Sequence, residues 1–256
     1  MYEIYALKVG QREVDSPSIY YQTDLGKKAT MSYYFLCLKN KDHVILLDTG
    51  ISQAEMAIRG VSSAPSREEL LSRINVRPEN VEAIILTHLH SDHFTGADIY
   101  PNCIFYVQRA EFRYWSEDVQ RFHAIFAPPF LGGRPSVEIG VLQKLNVEKR
   151  VRFLDGDTEV YPGISAVWCG AHSPGSQFVV VQTARGKVLC SSDFLDTYRN
   201  LEELIPVGVL TNLVEWLTNV QKIENMHLPK QSIIPGHDPQ VMTMFPIVAK
   251  DVVRIA

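Results

Sequence analysis

Long apolar runs and an excess of basic residues are both missing from this sequence. No stretch of roughly 18 consecutive apolar residues occurs, so we predict no transmembrane helix. The formal net charge of −4 favours neither nucleic acid nor an anionic membrane as a partner. Residues 1–4 lack the basic segment that opens a signal peptide, so we expect a cytoplasmic protein.

Cysteine is scarce, and its placement favours buried thiols. The chain has four cysteines, Cys37, Cys103, Cys169 and Cys190, each in or beside an apolar, strand-like run. A disulfide or a thiolate ligand is the alternative interpretation. Widely spaced cysteines in apolar runs fit small buried side chains in a reducing cytoplasm better.

Length and composition are ordinary for a globular enzyme. The chain has 256 residues, of which 46% are hydrophobic and 21% are charged, so it can bury a substantial core. No low-complexity segment or linker interrupts it, which predicts one domain over residues 1–256. Strand-like and helix-like segments alternate, which predicts an α/β fold with sheets inside and helices outside.

Histidine is also scarce, yet three of the eight histidines fall within six residues, as His88, His90 and His93. Residues 83–86 are apolar and predict a buried strand that ends just before them. His88 and His90 point the same way in extended backbone, whereas Asp92 and His93 diverge once the chain turns. Two divergent pairs suit two metal ions better than one. Imidazole with carboxylate favours Zn²⁺, with Fe, Mn or Co as alternatives.

The motif H-x-H-x-D-H after an apolar strand resembles the signature of the metallo-β-lactamase superfamily. Four further motifs resemble those of that family and occur in the same order. They are Leu46-Leu47-Asp48-Thr49-Gly50, Ala171-His172-Ser173-Pro174-Gly175, Ser191-Ser192-Asp193 and Pro235-Gly236-His237-Asp238. Ala171 departs from the usual G-H-[ST]-x-G pattern. The motifs span residues 46–237, and the resemblance implies the αβ/βα four-layer sandwich of this superfamily.

The resemblance also implies a set of ligands for two divalent metal ions per chain. His88, His90 and His172 would hold one ion; Asp92, His93 and His237 would hold the other; Asp193 would bridge them. Two such ions would lower the pKa of a shared water from about 15.7 towards 7 and supply a bridging hydroxide for hydrolysis. Asp92 would in addition pass a proton to the leaving group.

The resemblance assigns Asp48 a supporting role outside the ligand set. Asp48 would brace the histidine loop through hydrogen bonds. An ordinary turn at the end of a strand has the same sequence, so both interpretations are open at this point.

Spacing and flanking segments look closest to the N-acyl-homoserine lactonases, the quorum-quenching enzymes of this superfamily. The implied substrate is a small molecule, a lactone. In that family a tyrosine three residues after the bridging aspartate binds the substrate carbonyl. Here Asp196 stands at that position, and Tyr198 follows two residues later. We expect Asp196 or Tyr198 to contact the substrate, with Asp196 preferring a hydroxyl, amide or cationic group.

Two other functions remain open. The same ions and ligands could hydrolyse a cyclic amide, an aryl or alkyl ester, a thioester or a phosphoester. A metalloprotein without hydrolytic activity, such as an oxygenase, is the third candidate, and the full set of seven ligands argues against it.

Three segments carry structural predictions of their own. Residues 10–29 are polar and predict a long loop. Ser66 and Glu69 predict a capping box for a helix that buries Leu70, Leu71 and Ile74. Residues 211–224 predict a helix that buries Leu213, Val214, Leu217 and Val220.

Residues 110–144 are rich in aromatic side chains and predict a partly helical insertion. The insertion would overhang the site and shape an apolar pocket. Packing of these aromatics into the core, or against a second subunit, is the alternative, so monomer and homodimer are both open. We interpret His123, in this segment, as structural.

Overall fold

A computed structural model of the protein describes residues 1–61, 64–122 and 139–256. The eight-stranded sheet holds β1 (Glu3–Asp15), β2 (Lys28–Lys39), β3 (Val44–Leu47), β4 (Ala83–Ile85), β5 (Ile104–Gln108) and β6 (Val151–Leu154). A five-stranded sheet holds β7 (Thr158–Tyr161), β8 (Ile164–Trp168), β9 (Gln177–Thr183), β10 (Gly186–Ser192) and β11 (Ile233–Pro235). The last strands, β12 (Ile247–Ala249) and β13 (Val252–Arg254), return to the first sheet.

The strand orders are β12-β13-β1-β2-β3-β4-β5-β6 in the first sheet and β11-β10-β9-β8-β7 in the second. The α-helices are α1 (Gln53–Ile58), α2 (Arg67–Ser72), α3 (Arg109–Arg113), α4 (Val119–Phe122), α5 (Ile139–Val147), α6 (Tyr198–Glu202), α7 (Leu213–Asn225) and α8 (Val241–Met244). A π-helical turn, Tyr114–Asp118, joins α3 to α4. Among the described residues, no helix combines the length and the apolar character needed to span a membrane.

The two sheets pack face to face because their strands are apolar on both sides. Successive side chains of a strand point to opposite faces. In β2, Leu36 and Leu38 therefore join the core between the sheets, while Phe35 and Cys37 join the core beneath the helices. Trp216 and other residues of α7 cover the outer face of the second sheet. The predicted αβ/βα four-layer sandwich is confirmed.

The predicted long loop over residues 10–29 is confirmed only for residues 16–27, and the prediction was wrong at both ends. β1 continues to Asp15 and β2 starts at Lys28, because the two strands stay paired antiparallel beyond a bulge between Lys8 and Gly10. The outer part of this hairpin is only partly covered, so its sequence is polar although its backbone is a strand.

The predicted buried face of α7 was also wrong, apart from Val220. Trp216, Asn219, Val220 and Ile223 are buried, whereas Val214 is 70% exposed. Trp216 sets this orientation, since its ring stacks on Phe194 and its Nε1 donates to the Phe194 carbonyl oxygen at 2.9 Å. Leu213 and Leu217 are consequently left on the outside.

The remaining local predictions are confirmed in large part. Leu70, Leu71 and Ile74 are buried, and Ser66 Oγ accepts from Glu69 N at 3.1 Å. The Glu69 carboxylate binds Arg73, so only half of the capping box forms. All four cysteines are buried free thiols.

The aromatic-rich insertion is described only at its two ends. Residues 123–138, with His123, Phe126 and Phe130, lie outside the described residues. Trp115 and Leu142 belong to the core beneath the helices. Trp115 thus follows the prediction of core packing. Tyr114 follows the prediction of a pocket role, since it lines the cavity described below.

Candidate metal centre

Every predicted ligand lies in a loop that follows the end of a strand. The loops follow β4 (His88, His90, Asp92, His93), β8 (His172), β10 (Asp193) and β11 (His237). β10 and β11 run parallel, so their loops leave the same edge of the sheet. The strands thus deliver ligands from both sheets to one place.

The first group of donors consists of three histidines and one aspartate, with ligand atoms within 4.8 Å of one another. His90 Nδ1 lies 3.0 Å from His88 Nε2 and 2.8 Å from His172 Nε2. Asp193 Oδ2 lies 3.7 Å from His88 Nε2 and 3.5 Å from His172 Nε2. Three ring nitrogens and a carboxylate oxygen converging in this way form a donor set suited to Zn²⁺.

The second group of donors consists of Asp92, His93 and His237. The two ring Nε2 atoms are 3.4 Å apart, and Asp92 Oδ2 lies 3.8 Å from His237 Nε2. Asp193 Oδ1 lies 3.0 Å from His93 Nε2 and 3.1 Å from His237 Nε2. Each oxygen of Asp193 therefore faces a different group of histidines.

The outer ring nitrogens of three histidines are held from behind by oxygen acceptors. His93 Nδ1 pairs with Asp48 Oδ2 at 2.7 Å, while His172 Nδ1 and His237 Nδ1 pair with the carbonyl oxygens of Val209 and Ser32, both at 2.8 Å. A ring that donates outward from Nδ1 presents the lone pair of Nε2 inward, which is what a metal ligand requires.

Asp48 braces the histidine loop, as the resemblance implied. Its carboxylate accepts from Thr87 N at 2.7 Å and from Thr87 Oγ1 at 2.8 Å, in addition to its contact with His93. Asp48 comes directly after β3, which is parallel to β4, so both strand ends lie side by side.

Burial and mutual proximity control the charge of the rings. Burial, reinforced by the neighbouring His172, lowers the pKa of His90 to about 3. Burial also opposes the charge of His237, but Asp193 outweighs it and raises the pKa of that ring to about 9. The first group therefore offers a neutral ring at His90, and neutral imidazole is the form that binds metal ions.

Glu111 is a supporting residue that the sequence did not reveal. Its buried carboxylate accepts from Leu89 N at 3.0 Å, Gly175 N at 3.0 Å, Trp115 Nε1 at 2.8 Å and Ser173 Oγ at 2.7 Å. It joins the loop of His88 and His90 to the loop of His172. A Cβ added to Gly175 would lie 2.1 Å from Glu111 N, so only glycine fits there.

Arg59 was also missed, because no motif marks it. Its Nη2 lies 2.9 Å from Ser91 Oγ and 3.5 Å from Asp92 Oδ1, and its Nε lies 3.3 Å from Glu55 Oε1. Burial alone would raise the pKa of Asp92, but the positive charge of Arg59, followed by His93 and His237, lowers it to about 2. Arg59 thus keeps Asp92 ionised.

The structure separates the two predicted substrate contacts. Asp196 is buried beside Asp193 and His237, and burial together with the charge of Asp193 raises its pKa well above the usual value. Tyr198, in contrast, is the first residue of α6 and directs its hydroxyl to Met244 Sδ at 3.6 Å. The prediction that Tyr198 could contact the substrate is therefore corrected, since the start of α6 turns its side chain into the core.

A cavity of about 890 Å³ opens over the cluster. His90, Asp92, His172, Asp193 and Asp196 are among the described residues that line it. Its outer wall includes apolar side chains and two arginines, namely Val14, Met31, Ile58, Tyr114, Leu210, Arg12 and Arg59. A cavity of this size accommodates a small molecule.

A four-layer sandwich with histidines and aspartates gathered beyond its strand ends defines a class of metal-dependent hydrolases. This chain belongs to the metallo-beta-lactamase superfamily, whose sequence profile matches residues 29–237. An N-acyl homoserine lactonase of Bacillus cereus is 25% identical over 252 residues, which cover 92% of this chain and 93% of the relative.

Solved structures show the same fold. The crystal structure of a quorum-quenching N-acyl homoserine lactone lactonase matches with a TM-score of 0.75 at 23% identity, covering 96% of this chain and 95% of that chain. AidC, a dizinc quorum-quenching lactonase, matches with a TM-score of 0.70 at 16% identity, covering 93% of this chain and 88% of its own.

Replacing Glu111 with glutamine is expected to lower the free energy of unfolding by about 1–3 kcal/mol, because an amide cannot accept all four hydrogen bonds. The two histidine loops would loosen as well, so metal affinity should fall. Urea unfolding and competition with a chelator measure the two effects. Glu117→Gln, at an exposed carboxylate that pairs with Arg113, is the control and should change neither quantity. Unchanged stability and affinity in Glu111→Gln would refute the supporting role.

Replacing Ala171 with glycine is expected to raise the free energy of unfolding by about 0.5–1 kcal/mol, since an L-residue is strained at positive φ. Ala171 has a φ of 67° and stands directly before His172. Thermal unfolding of the metal-loaded protein measures the change. Ala166→Gly, in the extended backbone of β8, should instead destabilise by roughly 0.5–1 kcal/mol. Destabilisation by both substitutions would contradict the strain at Ala171.

Proposed function

We propose that this hydrolase uses two divalent metal ions to open a small lactone, an N-acyl homoserine lactone or a related cyclic ester. The position of Asp193 carries the proposal, because its Oδ1 and Oδ2 face two separate groups of ligands at distances from 3.0 to 3.7 Å. The lactonase relatives, matched over 92% of this chain, support the choice of a lactone.

The donor atoms fit Zn²⁺, with Mn, Fe or Co as other candidates. His88, His90 and His172 would hold one ion, Asp92, His93 and His237 the other, and Asp193 both. Ions held there would lower the pKa of a bound water and polarise the carbonyl of the ester. A relative of the same fold is a dizinc lactonase, which supports two ions of this kind.

Asp92 is suited to carry the proton that ring opening requires. A lactone opens to a carboxylate and an alkoxide on the same molecule, and the alkoxide needs a proton as it leaves. Arg59 holds Asp92 Oδ1, and Asp92 Oδ2 faces His237 inside the cluster. The ionised carboxylate would take the proton of the attacking water and return it to the leaving oxygen.

Asp196 is suited to position the substrate. Its carboxyl group lines the cavity beside Asp193 and has no hydrogen-bond partner among the described side chains. An acyl homoserine lactone has an amide N–H next to its ring, and Asp196 would accept that hydrogen bond. Val14, Met31 and Ile58 on the outer wall would cover the acyl chain.

Elemental analysis and lactone hydrolysis, measured on one preparation, test the proposal. We expect about two metal ions per chain and turnover of N-acyl homoserine lactones. Two ions without lactone turnover would reject the substrate, and a panel of cyclic amides, esters, thioesters and phosphoesters would then identify the bond. No uptake of metal when Zn²⁺ or Mn²⁺ is supplied would overturn the metal site itself.

Replacing Asp92 with asparagine is expected to lower kcat by about 10²–10⁴-fold per bound metal, because asparagine cannot carry a proton. Metal content and turnover are measured separately, so that loss of an ion is not mistaken for loss of proton transfer. Asp98→Asn, at an exposed aspartate, serves as the control. Full metal content with full activity in Asp92→Asn would remove the proton role.

A further inference from the structure

The outer wall of the cavity carries two arginines with different surroundings. Arg59 is neutralised, since Glu55 and Asp92 both lie within ion-pair distance of it. Arg12, on β1, has no acidic side chain within 4.0 Å among the residues that the structure describes. Its one hydrogen bond there runs from Nε to the hydroxyl of Tyr33, at 2.9 Å.

The Tyr33 hydroxyl fixes how Arg12 presents its charge. Tyr33 also accepts from Arg59 Nη1 at 3.4 Å and donates to Met31 Sδ at 3.4 Å, so its hydroxyl is fully engaged. Arg12 is therefore held by Nε alone, and its two terminal nitrogens are left for a group in the cavity. A guanidinium with both terminal nitrogens free is suited to bind an oxyanion through two parallel hydrogen bonds.

The same contacts connect Arg12 to the metal centre. Arg59 lies between them, with Nη1 on the Tyr33 hydroxyl and Nη2 near Asp92 Oδ1 at 3.5 Å. The ring of Tyr33 lies 5.5 Å from the ring of His237. Tyr33 thus contacts both Arg12 and His237, and Arg12 lines the same cavity as His90 and Asp92.

Apolar side chains share the cavity wall with Arg12. Its cross-strand partner in β2 is Met31, and Val14 and Ile58 line the same cavity. An unpaired cation among apolar side chains attracts an oxyanion more strongly than one in open solvent, because less water screens it.

We propose that Arg12 is a specificity-determining subsite for an oxyanion, carboxylate or phosphate, at the end of the substrate remote from the scissile ester. This inference rests on the proposed function and narrows it to cyclic esters whose side chain ends in a negative charge. An apolar spacer would run along Val14, Met31 and Ile58, from the lactone ring to the anionic end.

Matched substrates test the subsite. One acyl homoserine lactone would end in a carboxylate and the other in the methyl ester of the same carboxylate; a third would end in a phosphate. We expect kcat/KM of the metal-loaded protein to be about tenfold or more higher for an anionic substrate than for the methyl ester. The better of the two anions identifies the group that the subsite accepts.

Variants assign the preference to Arg12. Arg12→Gln should abolish the preference, so that kcat/KM for the anionic substrates falls to the value for the methyl ester. Arg12→Lys should keep part of the preference, because the charge remains without the two parallel hydrogen bonds. Arg77→Gln removes the same charge at an exposed position and should keep the full preference. Equal kcat/KM for all three substrates in the unaltered protein would overturn the subsite.

A binding measurement separates failure of the subsite from failure of the lactonase proposal. Calorimetry on the metal-loaded protein compares sebacate, a dicarboxylate, with decanoate, a monocarboxylate of equal length. Tighter binding of sebacate that is lost in Arg12→Gln supports the subsite even if no lactone is hydrolysed. Equal affinities for the two acids, in a protein that does hydrolyse lactones, would reject the subsite and keep the function.

Discussion

Five imidazole rings and three carboxylates share one buried volume beyond the strand ends, and the surrounding structure has to keep them together. Ring nitrogens approach to 2.8 Å, and little water reaches them. Burying polar side chains this close together costs free energy unless hydrogen bonds to the surrounding structure fix their orientation. The carbonyl oxygens of Ser32 and Val209 and the carboxylate of Asp48 each accept a hydrogen bond from one of three rings. Glu111 instead fixes the backbone of the loops that carry these rings. These acceptors belong to segments far from the ligands in the sequence.

The backbone beside the cluster is strained, because several residues there adopt a positive φ. Ala171 and Ser192 have φ values of 67° and 47°, and they stand directly before His172 and Asp193. Asp48, which supports His93, has a φ of 64°. Each such residue costs roughly 1–2 kcal/mol relative to an ordinary conformation. The sharp turn that it makes returns the next side chain over the end of its strand. Three clusters of buried hydrophobic side chains stabilise the fold and offset this cost.

The cluster of histidines and aspartates that could hold metal ions could be predicted from the sequence because its members fall in short motifs at strand ends. Glu111 and Arg59 could not, since their partners Ser173 and Asp92 lie 62 and 33 residues away and no local pattern connects them. The face of α7 was misjudged because the leucines have a helical spacing, while one buried tryptophan decides the orientation. The contact predicted for Tyr198 was also misjudged, because Thr197 and Asn200 cap a helix that starts at Tyr198 and sets the direction of its side chain.

The proposed ligands come from loops of both sheets, and this has a consequence for folding. His93 and His237 are 144 residues apart, and their rings meet only after the two sheets have packed together. The donor sets therefore exist in the assembled sandwich and not in either sheet alone. Ions that bind the assembled state and not the unfolded chain shift the folding equilibrium by mass action. The supply of metal in the cell would then govern how much of the protein persists as a folded species, as well as how much of it is active.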